Sequence, residues 1–181
     1  MLMAKFHIEE VEVALKQMAP LKALGPDGMP PLFYQSYWSL LGSDVSTTIL
    51  HYLNSSSFPQ DLGHSFITLI PKVKDLTYVS EFRPISLSNV LYRIFAKVLT
   101  NRLQAIIPNL ISEHQSAFLF DRLISDNISV AFETLHYMRN HNKGKSGFMA
   151  LKLDMSKAYD RVEWAYMEEV MIKMGFHARW I

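Results

Sequence analysis

The chain contains no cysteine, so neither a disulfide framework nor a thiolate-based zinc site is open to it. No apolar run approaches the roughly 18 residues that span a bilayer. Residues 1–10 interleave Lys5, His7, Glu9 and Glu10 with apolar positions, which breaks the continuous hydrophobic stretch of a secretory signal. These absences lead us to expect an intracellular protein that does not enter a membrane. Net charge is nearly absent too: 18 Lys and Arg stand against 17 Asp and Glu, so overall charge does not announce a polyanionic partner. The seven histidines show no metal-ligand spacing such as His-Glu-x-x-His, two adjacent aspartates occur nowhere, and no repeat or low-complexity block is present.

What is present is a core-forming composition. Hydrophobic residues make up 49 % of the 181 positions, which excludes a disordered tail and fits one domain or part of a larger one. Charge is also unevenly placed. Residues 64–110 hold Lys72, Lys74, Arg83, Arg93, Lys97 and Arg102 against Asp75 and Glu81. Such a segment suits phosphate contacts, and equally describes a solvated helix face.

Periodicity divides the chain. Ile8, Val11, Leu15 and Met18 recur at helical spacing and predict a helix over residues 7–18. Gly25, Pro26, Asp27 and Gly28 predict a turn. Two short helices are expected over 32–41 and 44–53, with 54–57 as a loop. Residues 66–70 read as a strand ended by Pro71. Val90, Leu91, Ile94, Phe95, Val98, Leu99 and Leu103 form one apolar stripe that Pro108 closes. A long helix over 125–141 is expected to turn Ile128, Phe132, Leu135 and Met138 inward, followed by a polar turn over 142–146. Residues 148–153 read as a buried strand ending at Asp154, and residues 162–174 as a helix capped by Gly175. The sum is a helix-rich α+β arrangement whose few strands cannot form a complete sheet.

The chemistry concentrates near Asp154. A carboxylate at the end of a buried strand suits a hard cation such as Mg²⁺, and phosphoryl transfer uses such ions. The same residue can cap the following turn, and Asp160 has the look of a helix N-cap.

Four blocks in order carry a resemblance. They are Lys22-Ala23-Leu24-Gly25-Pro26-Asp27-Gly28; Ile70-Pro71-Lys72-Val73-Lys74 with Phe82-Arg83-Pro84-Ile85-Ser86-Leu87-Ser88-Asn89; Ser112-Glu113-His114-Gln115-Ser116-Ala117-Phe118 with Arg122-Leu123-Ile124-Ser125-Asp126-Asn127; and Leu153-Asp154-Met155-Ser156-Lys157-Ala158-Tyr159-Asp160-Arg161-Val162. Together they resemble the reverse transcriptases of non-LTR (LINE-type) retrotransposons, especially those of plant elements, over essentially the whole chain.

The resemblance implies a partial right-hand polymerase. Residues 1–62 would be an N-terminal helical extension, 63–145 the fingers and their helices, and 146–181 the start of the palm. It implies RNA-directed DNA synthesis with an RNA template, a DNA primer and dNTP as partners. Asp154 would be the first metal carboxylate, and Met155 would offer its backbone carbonyl to a second Mg²⁺. Tyr159 would lie against the incoming sugar and exclude a 2′-OH, or else be a core aromatic. Arg83 would bind the triphosphate through its planar guanidinium. Lys72 would be a second triphosphate contact or an ordinary loop lysine. Arg93, with Asn89, would pack or touch the template backbone. Gln115, Phe118, Arg122, Asp126 and Asn127 would line the template strand, although Asp126 and Asn127 also suit a helix N-cap. A nuclear or cytoplasmic location follows from the family alone.

There are departures. The family usually has Pro at Leu24 and Gly at Asp121. If position 121 takes a positive φ, aspartate is tolerated there at some cost. The family's Tyr/Phe-Ala-Asp-Asp turn is not found in the 181 residues. Asp154 alone is expected to hold Mg²⁺ weakly or not at all, and the polypeptide to be inactive by itself. The other reading is a non-catalytic RNA-binding remnant.

Overall fold

The computed structural model describes residues 2–117, 119–141, 147–155 and 157–181. The backbone forms two compact units, Met1–Arg102 and Leu103–Ile181.

The first unit opens with α1, Ile8–Lys16. Its N-terminus is closed by the Glu10 carboxylate, which accepts the His7 backbone N–H at 2.9 Å. Its C-terminal carbonyls, which have no partner within the helix, are met from another helix: the Gln35 amide donates to Leu15 O and Met18 O at 3.0 and 2.9 Å. Helices α2, Pro31–Ser36, and α3, Trp38–Ser55, follow. The break falls at Tyr37 and not near Gly42, where the two expected helices were divided. Gly42 sits under the Trp38 ring one turn back, where an added Cβ would come within 2.8 Å of ring carbon. The glycine therefore permits close packing inside one helix and does not interrupt it.

Strands β1, Ser65–Pro71, and β2, Phe82–Ser88, pair antiparallel, with Ser65 opposite Ser88, Ile70 opposite Arg83 and Pro71 opposite Phe82. Pro71 is thus the last residue of its strand, as expected. The intervening loop is tied by Glu81, whose carboxylate accepts the Thr77 and Tyr78 backbone N–H groups at 2.6 and 2.8 Å. Helix α4, Val90–Gln104, completes the unit. The core is made by Val11, Ala14 and Leu15 of α1, Ile49 and Leu53 of α3, and Val90, Ile94 and Val98 of α4, all almost wholly buried. Each of these Val, Leu and Ile side chains contributes about 1.5–3 kcal/mol by leaving water. The α4 stripe predicted from spacing is therefore the buried one. Pro108 does not close α4; it begins a separate helical turn, α5, Ile107–Leu110, where its missing N–H costs nothing.

The second unit holds α6, Ile124–Asn140, α7, Ala158–Arg161, and α8, Trp164–Lys173. Helix α8 ends in a Schellman arrangement. Gly175, at φ 81°, donates to Ile172 O, and Phe176 donates to Met171 O. Three expectations fail here. Ile128, Phe132 and Leu135 of α6 do not face inward; each is more than half exposed. Residues 148–153 form no strand and are exposed, so Asp154 does not sit at a strand end. A strand needs a neighbour for its N–H and C=O groups, and among the described residues none pairs with this segment. Asp160 lies within α7, and Glu163 is the N-cap of α8. The polar turn over 142–146 lies outside the described residues. The helix-rich α+β character holds, with one two-stranded sheet among the described residues.

Candidate functional site

The Gly-Pro-Asp-Gly turn and the start of α4 are one structure. Gly28 donates to Gly25 O at 3.0 Å, closing a β-turn, and Asp27 Oδ1 accepts the Met29 N–H at 3.1 Å. The Asp27 N–H in turn donates to Asn89 Oδ1 at 3.1 Å. Gly25 packs so closely on Ser88 and Asn89 that a Cβ would lie 2.6 Å from their backbone. Sequence blocks 62 residues apart thus share one junction, with Asn89 as the clasp.

From this junction β2 runs back to Arg83, an exposed side chain opposite Ile70. Lys72 follows β1 by one residue. Its N–H donates to Glu81 O at 2.8 Å and its ammonium to Ser80 O at 2.9 Å. Arg83 and Lys72 are therefore carried on one hairpin end whose loop Glu81 organises. The hydrogen bonds from Tyr78 and Thr77 hold the Glu81 carboxyl below the ordinary glutamate range, so it stays an acceptor at neutral pH. Sequence reasoning gave Glu81 no role; its place three residues after Tyr78, at the end of a helical turn, was the available signal.

Arg93 lies on α4. Its Nε and Nη2 are enclosed and without a hydrogen-bond partner. Beside it is a cavity of about 320 Å³ lined by Gln17, Lys22, Arg93, Lys97 and Thr100, among others. Lys97 and Lys22 carried no assigned role in the sequence, although the four-residue spacing of Arg93 and Lys97 puts them on one helix face.

In the second unit, residues 112–117 and 119–122 are irregular, and Arg122 braces them. Its Nη1 donates to Ser112 O and Gln115 O, both at 2.7 Å. Gln115 is exposed, and its amide donates to Ala117 O at 3.4 Å. Asp121 has φ 59°, the left-handed conformation that its departure from glycine made critical. Asp126 and Asn127 do not cap α6; Leu123 holds the N-cap position, and Asn127 Oδ1 instead accepts the buried Ser116 hydroxyl at 2.9 Å. Phe118 lies outside the described residues.

Asp154 and Met155 are exposed, and Tyr159, in α7, is 97 % exposed. The core-aromatic reading of Tyr159 is thereby corrected: its ring is fully open to solvent. Among the described residues no group of three or more His, Asp or Glu side chains could hold a metal ion. Mg²⁺ requires near-octahedral oxygen ligands and sheds water reluctantly. One carboxylate and one carbonyl do not make such a site by themselves, so no step is derived through the ion.

No helix of the described residues is long and apolar enough to cross a membrane. Comparison with known proteins matches residues 70–181 to the family described as reverse transcriptase (RNA-dependent DNA polymerase). The match includes Lys72, Arg83, Arg93, Asp154 and Tyr159. The transposon TX1 uncharacterized 149 kDa protein of Xenopus laevis is 31 % identical over 160 residues, 88 % of this chain and 12 % of that protein. The retrovirus-related Pol polyprotein from type-1 retrotransposable element R2 of Nasonia vitripennis is 30 % identical over 87 % of this chain and 14 % of its own length. Its counterpart from type-2 element R2DM of Drosophila melanogaster is 26 % identical over 93 % of this chain and 15 % of its own length. The chain thus spans 12–15 % of the length of these relatives.

Proposed function

The chain belongs to the reverse transcriptase family, as a fragment similar to non-LTR retrotransposon proteins, and from that premise we propose that it supplies the nucleotide-gripping part of an RNA-directed DNA polymerase. The reaction would be attack of a primer 3′-OH on the α-phosphate of a dNTP opposite an RNA template. Residues 63–145 serve as fingers and helices, 146–181 as the start of the palm, and 1–62 as an extension in front of them. The setting is intracellular, nuclear or cytoplasmic, and the affinity to plant elements belongs to this reading.

One observation carries the proposal: the family match covers residues 70–181, from the hairpin that bears Arg83 to beyond the segment that bears Asp154. Arg83 suits the triphosphate because its planar fork can meet two phosphate oxygens at once. Lys72 adds a point charge, and the Glu81-tied loop limits how far it can wander. Tyr159 presents an uncovered ring, as stacking against a sugar requires. Asp154 is the carboxylate that would orient Mg²⁺ together with nucleotide phosphates and carboxylates supplied from elsewhere. Arg93 and Gln115 are assigned to the template, and so is Arg122 through the N–H groups other than Nη1.

The 181-residue polypeptide, with a single carboxylate at this position, is expected to show no primer extension. The roles are tested by exchange. Residues 1–181 replace the matching segment of an active reverse transcriptase, and primer extension is measured with and without Asp154→Ala. Extension by the chimera and its loss by a factor of about 10³ or more in the variant is the expected result. Equal extension by both would remove Asp154 from the reaction. A second reading, RNA binding without synthesis, draws on Arg93, Lys97 and Lys22, which no carboxylate neutralises among the described residues. Steep weakening of RNA binding with salt would mark it.

A further inference from the structure

One residue closes the loop between β1 and β2. The Glu81 carboxylate accepts the Thr77 and Tyr78 backbone N–H groups at 2.6 and 2.8 Å, both on the same oxygen. Through its backbone, Glu81 accepts the Lys72 N–H at 2.8 Å and donates to Tyr78 O at 3.0 Å. Packing contributes little to the helical turn Val79–Glu81, because Tyr78 and Val79 are 69 % and 81 % exposed. Hydrogen bonds to an ionised acceptor are about twice as strong as neutral ones, and here two of them set the shape of the turn.

The turn carries Ser80, whose carbonyl accepts the Lys72 ammonium at 2.9 Å. An ammonium has three N–H donors, so two remain for an oxyanion. The contact therefore aims the lysine without using it up. Fixing a flexible side chain before its ligand arrives removes that ordering cost from binding. Arg83 follows Glu81 by two residues, on the same hairpin end. The ion pairs of the described residues are Lys16–Glu12 and Arg102–Glu10, and neither involves Glu81, Lys72 or Arg83. The Glu81 charge is met by backbone N–H groups, so this acid organises the hairpin end without pairing with its cations.

We propose that Glu81 is a positioning residue for nucleotide capture: its carboxylate holds the turn, the turn holds the Ser80 carbonyl, and that carbonyl presents the Lys72 ammonium to the triphosphate. The inference rests on the nucleotide reading of Lys72 and Arg83 above. It goes further in making affinity for the dNTP, and not the chemical step, depend on a residue that touches no substrate.

The test has two parts. In the whole 181-residue chain, amide exchange of Thr77 and Tyr78 is compared between wild type and Glu81→Ala, together with the melting temperature. Faster exchange at both amides is expected, with a melting temperature close to that of wild type, because the core in α1, α3 and α4 is untouched. Unchanged exchange overturns the inference without any need of activity. In the chimera with an active reverse transcriptase, Glu81→Ala is expected to raise KM for dNTP by about three- to tenfold, the scale of one flexible side chain left unordered, with kcat unchanged. Glu81→Gln keeps an oxygen acceptor and falls between wild type and Glu81→Ala. In a Lys72→Ala background the Glu81 substitution adds nothing, since it acts through that ammonium. An unchanged KM, a fall confined to kcat, or the same rise in KM with Lys72 already removed overturns the inference. If Lys72→Ala and Arg83→Ala also leave KM unchanged, the nucleotide reading falls with it. If either of them raises KM and Glu81→Ala does not, only the role of Glu81 falls.

Discussion

The side-chain oxygen of Asn89 accepts the backbone N–H of Asp27 at 3.1 Å, and so fastens the Gly-Pro-Asp-Gly turn to the point where β2 becomes α4. The adjacent Gly25 is pressed against the same backbone. Asn89→Ala leaves the Asp27 N–H without this acceptor and is expected to cost about 1 kcal/mol. Gly25→Ala forces a methyl group to 2.6 Å from backbone that cannot swing aside, and is expected to cost about 1–3 kcal/mol. Urea midpoints measure both. A Gly25→Ala chain as stable as wild type would mean the turn does not dock as described.

Much of this was legible in the sequence, and the failures have a common cause. Helix α4 was legible because Val90, Ile94 and Val98 fall at helical spacing and are in fact its buried face. The turn at Gly25 was legible from its residue types, and the C-cap of α8 from Gly175. What local pattern could not give was the partner of each surface. The apolar spacing of Ile128, Phe132 and Leu135 correctly marked a helix, but burial depends on something packing there, and among the described residues these side chains stay exposed. Residues 148–153 have strand composition and no pairing neighbour among those residues, so they stay irregular. In the site, Lys72 and Arg83 could be chosen by resemblance, whereas the cavity beside Arg93 needed three dimensions, because Lys22 is far from Arg93 in sequence.

A second long-range clasp makes stability pH-dependent. Arg102 Nε and Nη2 donate to the two Glu10 oxygens at 2.6 and 2.8 Å, and the guanidinium lies 3.5 Å from the centre of the Phe6 ring. The Arg102 hydrogen bond is the main cause that holds the Glu10 carboxyl below its ordinary value. A depressed folded-state pKa gives stability that is present above the unfolded value, roughly pH 4.3, and is lost as pH falls through the lower folded value. Wild type should therefore lose more stability than Glu10→Gln between about pH 5 and pH 3. Parallel slopes of urea midpoint against pH for the two chains would refute the coupling. At neutral pH, Arg102→Ala should cost about 2–4 kcal/mol, since it strands a carboxylate and the Leu2 and Lys5 carbonyls as well.

Asp121 occupies the left-handed region at φ 59°. Aspartate bears that conformation better than most residues, but glycine bears it without a Cβ clash. Asp121→Gly is expected to leave the segment around Arg122 as stable or to gain up to about 0.5–1 kcal/mol. Asp121→Val, β-branched, should lose about 1–2 kcal/mol. Amide exchange of the Gln115 and Asp126 N–H groups reads this locally. Each lies in a short-range hydrogen bond of this segment, to Ser112 O and Leu123 O. Faster exchange in the glycine variant would show that the Arg122 brace, not the backbone at 121, sets the segment's stability.

Tyr159 gives the sharpest test of the polymerase assignment, because its ring is almost wholly exposed and so contributes little to folding. Replacing a side chain with no packing role should shift stability by no more than about 0.5 kcal/mol. Any large functional effect must then come from contact with a ligand. If the ring excludes a 2′-OH, shrinking it opens room for a ribonucleotide and leaves deoxyribonucleotide binding nearly intact. In the chimera with an active reverse transcriptase, Tyr159→Val should lower the preference for dNTP over rNTP at least tenfold, about 1.4 kcal/mol of discrimination. Tyr159→Phe, which keeps the ring, should leave that preference in place. Competition of the two nucleotides for the same primer terminus measures the ratio directly. A preference unchanged in Tyr159→Val, with extension otherwise normal, would take the sugar gate away from this residue and leave its exposure without a catalytic explanation.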